Sequence, residues 1–255
     1  MFENSIQITG LIVMAVSLIG VIVCTKLARR NPVMQPVAII LTLAVLAGVG
    51  VYAYGTFNGG SSSGMEVGRI YYCSIADRAG KEMKKIAPNK KVVYIVDPMM
   101  MESETAKMAV ETFKKAYGSD NVEMTTIAVP ADYAENGMDI YTYLKPKHID
   151  DVISANSDAG IFIIEIGLPE KAGAVKAFNL PADKRPVFFL TNSGPANGKV
   201  IAKLLKDGKI AGIVTGKAGK RDPNFEPDGD NLGEAFNKLY VVVTKDNFKE
   251  HAKNF

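Results

Sequence analysis

Lys91-Val92-Val93-Tyr94-Ile95-Val96-Asp97 and Gly160-Ile161-Phe162-Ile163-Ile164-Glu165-Ile166 decide the fold. Each is a short, nearly continuous apolar run without the polar alternation of a half-exposed strand, the pattern of strands buried on both faces of a parallel sheet. Working outward, similar runs recur at 122–129, 186–191, 210–215 and 239–244. Between them lie helical patterns at 103–117, 146–155, 171–178 and 196–207, with a further short helix from 248 to the end. Ser103 is placed to cap the first of these helices and Gly118 to close it. Strand–helix alternation at this spacing predicts right-handed crossovers and a doubly wound, mostly parallel α/β sheet with helices on both faces.

The chain ahead of this unit reads differently. Residues 7–25 and 37–57 contain no charged side chain, and each run is long enough to cross a bilayer as a helix. The turn between them carries Lys26, Arg29 and Arg30 together with Pro32 and Pro36. The sequence therefore predicts a two-helix transmembrane hairpin over 1–57, a Gly/Ser linker over 58–64 and an α/β domain over 65–255. A helix over 65–87 opens that domain, with Ile70, Tyr71, Ile75, Met83 and Ile86 as its apolar positions. Basic residues confined to the turn predict a cytoplasmic turn. The expected placement is a bacterial inner membrane, two-pass, with both termini extracytoplasmic. Small residues Gly10, Ser17 and Cys24 on the first helix, and Ala44, Gly48 and Gly55 on the second, suit close helix packing.

The segment 91–215 resembles one lobe of the type I periplasmic-binding-protein fold, which is flavodoxin-like. The features that carry the resemblance are Val92-Val-Tyr-Ile-Val-Asp97, Gly160-Ile-Phe-Ile-Ile, Pro186-Val-Phe-Phe-Leu-Thr191 and Lys209-Ile-Ala-Gly-Ile-Val-Thr215. The resemblance implies a ligand site closed by a second lobe, and this chain has room for about one. Asp97, Glu165, Thr191 and Lys217 also resemble the strand-end set of response-regulator receiver domains. Glu165 stands there in place of the phospho-acceptor aspartate, and one acidic residue of that pattern is absent.

Ligands of open parallel sheets bind beyond the carboxyl ends of the strands. The residues expected there, as candidate ligand-binding positions, are Asp97, Met99, Glu165, Gly167, Thr191, Asn192, Ser193, Gly194, Thr215 and Lys217. The Asn192–Lys199 turn is not a phosphate loop: its glycine spacing is one residue short, and Val200 stands where a magnesium-binding hydroxyl is needed. Asp222, Glu226, Asp228 and Asp230 crowd one loop without the full calcium-loop pattern. Two cysteines and two histidines at scattered positions make no metal site or nucleophile–base pair. No cofactor is implied, and nothing in the sequence demands an enzyme. A net charge of +3, from 30 basic and 27 acidic residues without a basic stripe, argues against nucleic acid.

Two functions fit. One is an accessory or structural subunit whose α/β domain contacts integral membrane partners or copies of itself, with the hairpin in the lipid bilayer. The other is an extracytoplasmic module that binds or senses a small-molecule solute.

Overall fold

The computed structural model describes residues 3–28, 34–133, 137, 139–217, 225 and 227–251; within these, side chains are described over 12–27, 35–49 and from 66 onward. The chain divides into two compact units, Met1–Gly68 and Arg69–Phe255.

The first unit holds helix α1 (Glu3–Ala28) and the first part of helix α2 (Met34–Ile86). The two helices meet through small side chains. Ser17 and Gly48 are buried, and a Cβ on Gly20 would sit 2.8 Å from Leu41 Cδ1. Large apolar side chains such as Val16, Ile19, Ile40 and Leu43 are exposed.

Among the described residues, no helix is long and apolar enough to cross a membrane. The expected two-pass hairpin in a bacterial inner membrane, with extracytoplasmic termini, is corrected on that finding. A crossing needs about 20 consecutive apolar residues. Helix α2 runs on past the second apolar stretch through the polar 58–64 segment and the charged turns from Glu66 onward. Residues 29–33 of the basic turn lie outside the described residues.

The second unit is built on a six-stranded sheet. Its strands are β1 (Val92–Val96), β2 (Val122–Thr126), β3 (Ile161–Ile164), β4 (Val187–Leu190), β5 (Gly212–Gly216) and β6 (Tyr240–Val243), in the order β2-β1-β3-β4-β5-β6. All pairs are parallel except β5–β6, which is antiparallel. Every residue of β1 and β3 is buried, as their apolar runs predict. The antiparallel last strand was not foreseen. It follows helix α7 (Leu232–Leu239) directly, and its neighbour β5 exposes Gly216 and Lys217 beyond the sheet.

Helices cover both faces. On one face α2, α3 (Glu104–Tyr117) and α7 bury Ala76, Ala79, Met83, Val110, Phe113 and Phe236 against Tyr94, Ile163 and Phe189. On the other face α5 (Pro146–Ala155) and α6 (Gly198–Lys206) bury Ile149, Ile201 and Leu205 against Ile95, Phe162 and Phe188. Between β2 and α5 lies the one-turn helix α4 (Ile140–Tyr143). The caps on α3 form as expected: Ser103 Oγ accepts from Ala106 N at 3.1 Å, and Gly118 closes the helix at φ +82°.

Three expectations are revised. The inward stripe of α2 is Cys73, Ala76, Ala79 and Met83, while Ile86 is exposed. Small residues are needed there because α2 crosses α3 closely: a Cβ on Gly80 would lie 2.8 Å from both Ala116 Cβ and Phe113 O. The helix expected over 171–178 is two short 3-10 turns, Ala172–Ala174 and Lys176–Asn179. Residues 248–250 form turns rather than a helix, and 252–255 lie outside the described residues.

Candidate functional site

The winding of the chain marks one place on the sheet. From β1 the chain passes through α3 to β2 on one side; from β3 it passes to β4 and β5 on the other. The connections that leave the carboxyl ends of β1 and β3 run to opposite sides here, the kind of switch point where open α/β sheets bind ligands. Asp97 follows β1 and Glu165 follows β3, and the strands remain paired up to this level, with Glu165 N donating to Ile95 O at 2.9 Å.

Strand alternation sets the direction of each side chain. Ile163 and Phe189 belong to the core under α2 and α3, so Glu165 and Thr191, two residues on, share that face with Tyr94. Glu165 is partly buried, and its carboxyl is pushed up from 4.5 to about 7, first by burial and then by Asp97. Tyr94 is fully buried, and its phenol is raised by burial and by Glu165. Tyr72 reaches the same place from α2. Its phenol is raised by burial, then by Glu165, Tyr141, Asp97 and Tyr240, which come from other parts of the fold.

Two buried hydroxyls around these acids have no partner. Thr191 is 8% exposed and its Oγ1 makes no hydrogen bond; the Tyr94 phenol is nearby without hydrogen-bond geometry. Tyr133 is 2% exposed, and its unpartnered phenol is raised by burial and by Asp97 and Asp139. An orphaned buried polar group costs about 1–3 kcal/mol.

Two crossing loops build the rim. Gly167, at φ +72°, and Gly194, at φ +63°, lie against each other: a Cβ on Gly167 would stand 2.2 Å from Gly194 N. Leu168 N donates to Ser193 O, and Ala196 N donates back to Leu168 O, each at 3.1 Å. Asn192 holds the second loop, accepting from Gly194 N at 3.0 Å through Oδ1 and donating from Nδ2 to the Tyr141 hydroxyl at 2.7 Å. Asn197 then caps α6, accepting from Lys199 N at 2.8 Å.

The candidate positions thus separate into groups. Asp97, Glu165, Thr191 and Asn192 converge on the switch point. Gly167, Ser193 and Gly194 shape its rim. Met99 is 57% exposed on the turn that Asp97 caps, with Asp97 Oδ1 accepting from Met99 N at 2.8 Å. Thr215 is partly buried on the next strand, and the Lys217 ammonium donates to the Asn237 carbonyl of α7. Sequence reasoning missed Tyr72, Tyr94, Tyr133 and Tyr141. Tyr94 is visible inside the β1 run, but only the assembled sheet sets it beside Glu165.

Among the described residues no group of three His, Cys, Asp or Glu side chains can hold a metal ion. Asp222 and Glu226 lie outside them, and Asp228 forms a local turn, accepting from Asp230 N at 2.9 Å.

No family model matches the chain, and no curated protein matches it. Among solved structures, it is similar to a periplasmic ribose ABC transporter protein from Conexibacter woesei, with a TM-score of 0.43 and 12% identity over 72% of this chain. It is also similar to a mutant of the XylFII–LytSN complex, with a TM-score of 0.42 and 16% identity over 70% of this chain. The alignment covers 60% of each of those chains.

Proposed function

We propose that the α/β unit is a solute-binding module whose ligand lies in the crevice between the carboxyl ends of β1 and β3. The observation that carries this reading is the pairing of two strand-end carboxylates, Asp97 and Glu165, with the unpartnered buried hydroxyls of Thr191 and Tyr133. A fold that needed these residues only for stability would satisfy the hydroxyls internally. A bound solute supplies the missing partners. The rim glycines let the Gly167 and Gly194 loops cross in contact beside those strand ends. The solute reading is preferred to the accessory-subunit reading because these polar groups, two of them buried without partners, lie at the strand ends rather than across an outward face.

The test is a thermal-melt screen of the full chain against sugars, amino acids, amines and nucleotides. The expected result is a shift from one chemical class that disappears in Asp97→Ala and Asn192→Ala, with both variants still folded by circular dichroism. No shift from any class, or a shift that survives both substitutions, refutes the reading.

A further inference from the structure

The amino ends of the strands gather positive charge. Lys90 stands just before β1, Gly160 just before β3, and Lys184 and Arg185 just before β4, so the parallel sheet brings them to one edge. The three cations line a single cavity of about 410 Å³, within the usual range of small-molecule sites. Among the described residues, Asp183 is the one carboxylate in that lining. Three cations against one acid leave two positive charges over. Ser154 and Ser157 add hydroxyl donors, and Ile153, Leu180 and Val187 add apolar surface. Ile153, Ser154 and Leu180 also line a second cavity of about 570 Å³ beside α5, so the space extends past the charged end.

Two of these cations are held in place by neutral groups. Arg185 donates from Nη1 to Phe178 O at 3.2 Å and from Nη2 to Gly208 O at 3.0 Å, which anchors its charge without cancelling it. Lys90 N donates to the Tyr117 hydroxyl at 2.8 Å, and its side-chain stem lies against Gly160, where a Cβ would stand 3.0 Å from Lys90 Cβ and Cδ. Among the described residues, none of Lys90, Lys184 and Arg185 makes an ion pair. The adjacent Lys91 shows the contrast: its ammonium pairs with Asp158 at 3.0 Å and with Glu123 at 3.3 Å. A cavity lined by one sign of charge concentrates ions of the other sign. Lysine ammoniums bind phosphate as point charges, and a phosphate dianion matches two uncompensated charges where a carboxylate matches one.

We propose that this amino-end cavity binds a small phosphomonoester with an apolar body, its phosphate held by Lys90, Lys184 and Arg185 and its body against Ile153, Leu180 and Val187. The site lies at the opposite end of the strands from Asp97 and Glu165 and does not rest on the solute-binding reading above. Binding here is indifferent to Asp97→Ala, so that variant tells the two sites apart.

The experiment is isothermal titration of the full chain with phenyl phosphate, beside inorganic phosphate, benzoate and benzyl alcohol, at low and at physiological ionic strength. The expected result is that phenyl phosphate binds most tightly and weakens as salt is added. Lys90→Ala and Lys184→Ala should each lower its affinity about three- to fivefold, and Asp183→Asn should raise it about twofold. Lys199→Ala removes the same charge from the start of α6, at the other end of the strands, and should leave the affinity unchanged. Should a lysine variant fail to fold, the gain in Asp183→Asn still decides the matter. Benzoate binding more tightly than phenyl phosphate overturns the phosphate assignment. Benzyl alcohol binding as tightly shows attraction without charge, and an equal loss in Lys199→Ala shows a general effect of net charge; either result overturns the site. Absence of phenyl phosphate binding at low ionic strength overturns it as well.

Discussion

Glu165 makes the stability of the unliganded protein depend on pH in an unusual direction. Most carboxylates are stabilised by the fold and lose that contribution in acid. Glu165 is instead raised from 4.5 to about 7 by burial and by Asp97. Between these values the folded state binds more protons than the unfolded chain, so stability falls as pH rises. At about 1.4 kcal/mol per pH unit, the full penalty above pH 7 is about 3 kcal/mol. Residual solvent contact of this partly buried side chain makes that an upper figure. Glu165→Gln keeps the shape and removes the ionisation. The assay is urea denaturation of both proteins at half-unit steps from pH 4.5 to 8.5. The expected result is near-equal stability at pH 4.5 and a growing advantage for the Gln variant, reaching about 2–3 kcal/mol by pH 8. A difference between the two proteins that stays constant with pH would refute the argument that Glu165 is ionised at a cost in the folded state.

Three further outcomes are expected. Gly167→Ala combines a left-handed backbone with a clash against Gly194 N, so urea denaturation should show a loss above about 3 kcal/mol, while Gly173→Ala, with nothing near its Cβ, should change stability by less than about 0.5 kcal/mol. Phe113→Ala empties a fully buried position between Tyr94 and Tyr117, at ring separations of 5.6 and 5.7 Å, and should cost about 3–5 kcal/mol in the same measurement. Asn192→Ala removes the bonds to Tyr141 and Gly194; faster amide exchange at Gly194, with β3 and β4 still protected, is the expected signature, and unchanged exchange there would show that other contacts hold the loop.

The sheet was readable because its strands are buried on both faces. An unbroken run such as Val92–Val96 leaves little alternative once helical patterns flank it. The direction of β6 was not readable, since Tyr240–Val243 has the same apolar character as the parallel strands and only its hydrogen-bonding register reveals the reversal. Asp97 and Glu165 were legible as strand-end residues, because strand ends can be located from the apolar runs alone. Tyr72 and Tyr141 were not, as they come from elements that meet the strand ends only through tertiary packing. The 7–25 and 37–57 runs show the limit of reading by composition. Lack of charge suggested membrane spans, yet among the described residues no helix meets the requirement, and α2 continues from the second run into the charged helix that packs on the sheet.

The most direct test of the central claim, a solute site at the β1/β3 switch point, is hydrogen exchange of the full chain with and without the solute that gives the largest melting shift. The account predicts added protection in the turn after Asp97, the Gly167–Leu168 loop and the Ser193–Ala196 loop, with little change at the opposite end of the sheet around Lys90, Gly160 and Arg185. Protection confined to that opposite end, or spread evenly over the domain, would contradict it.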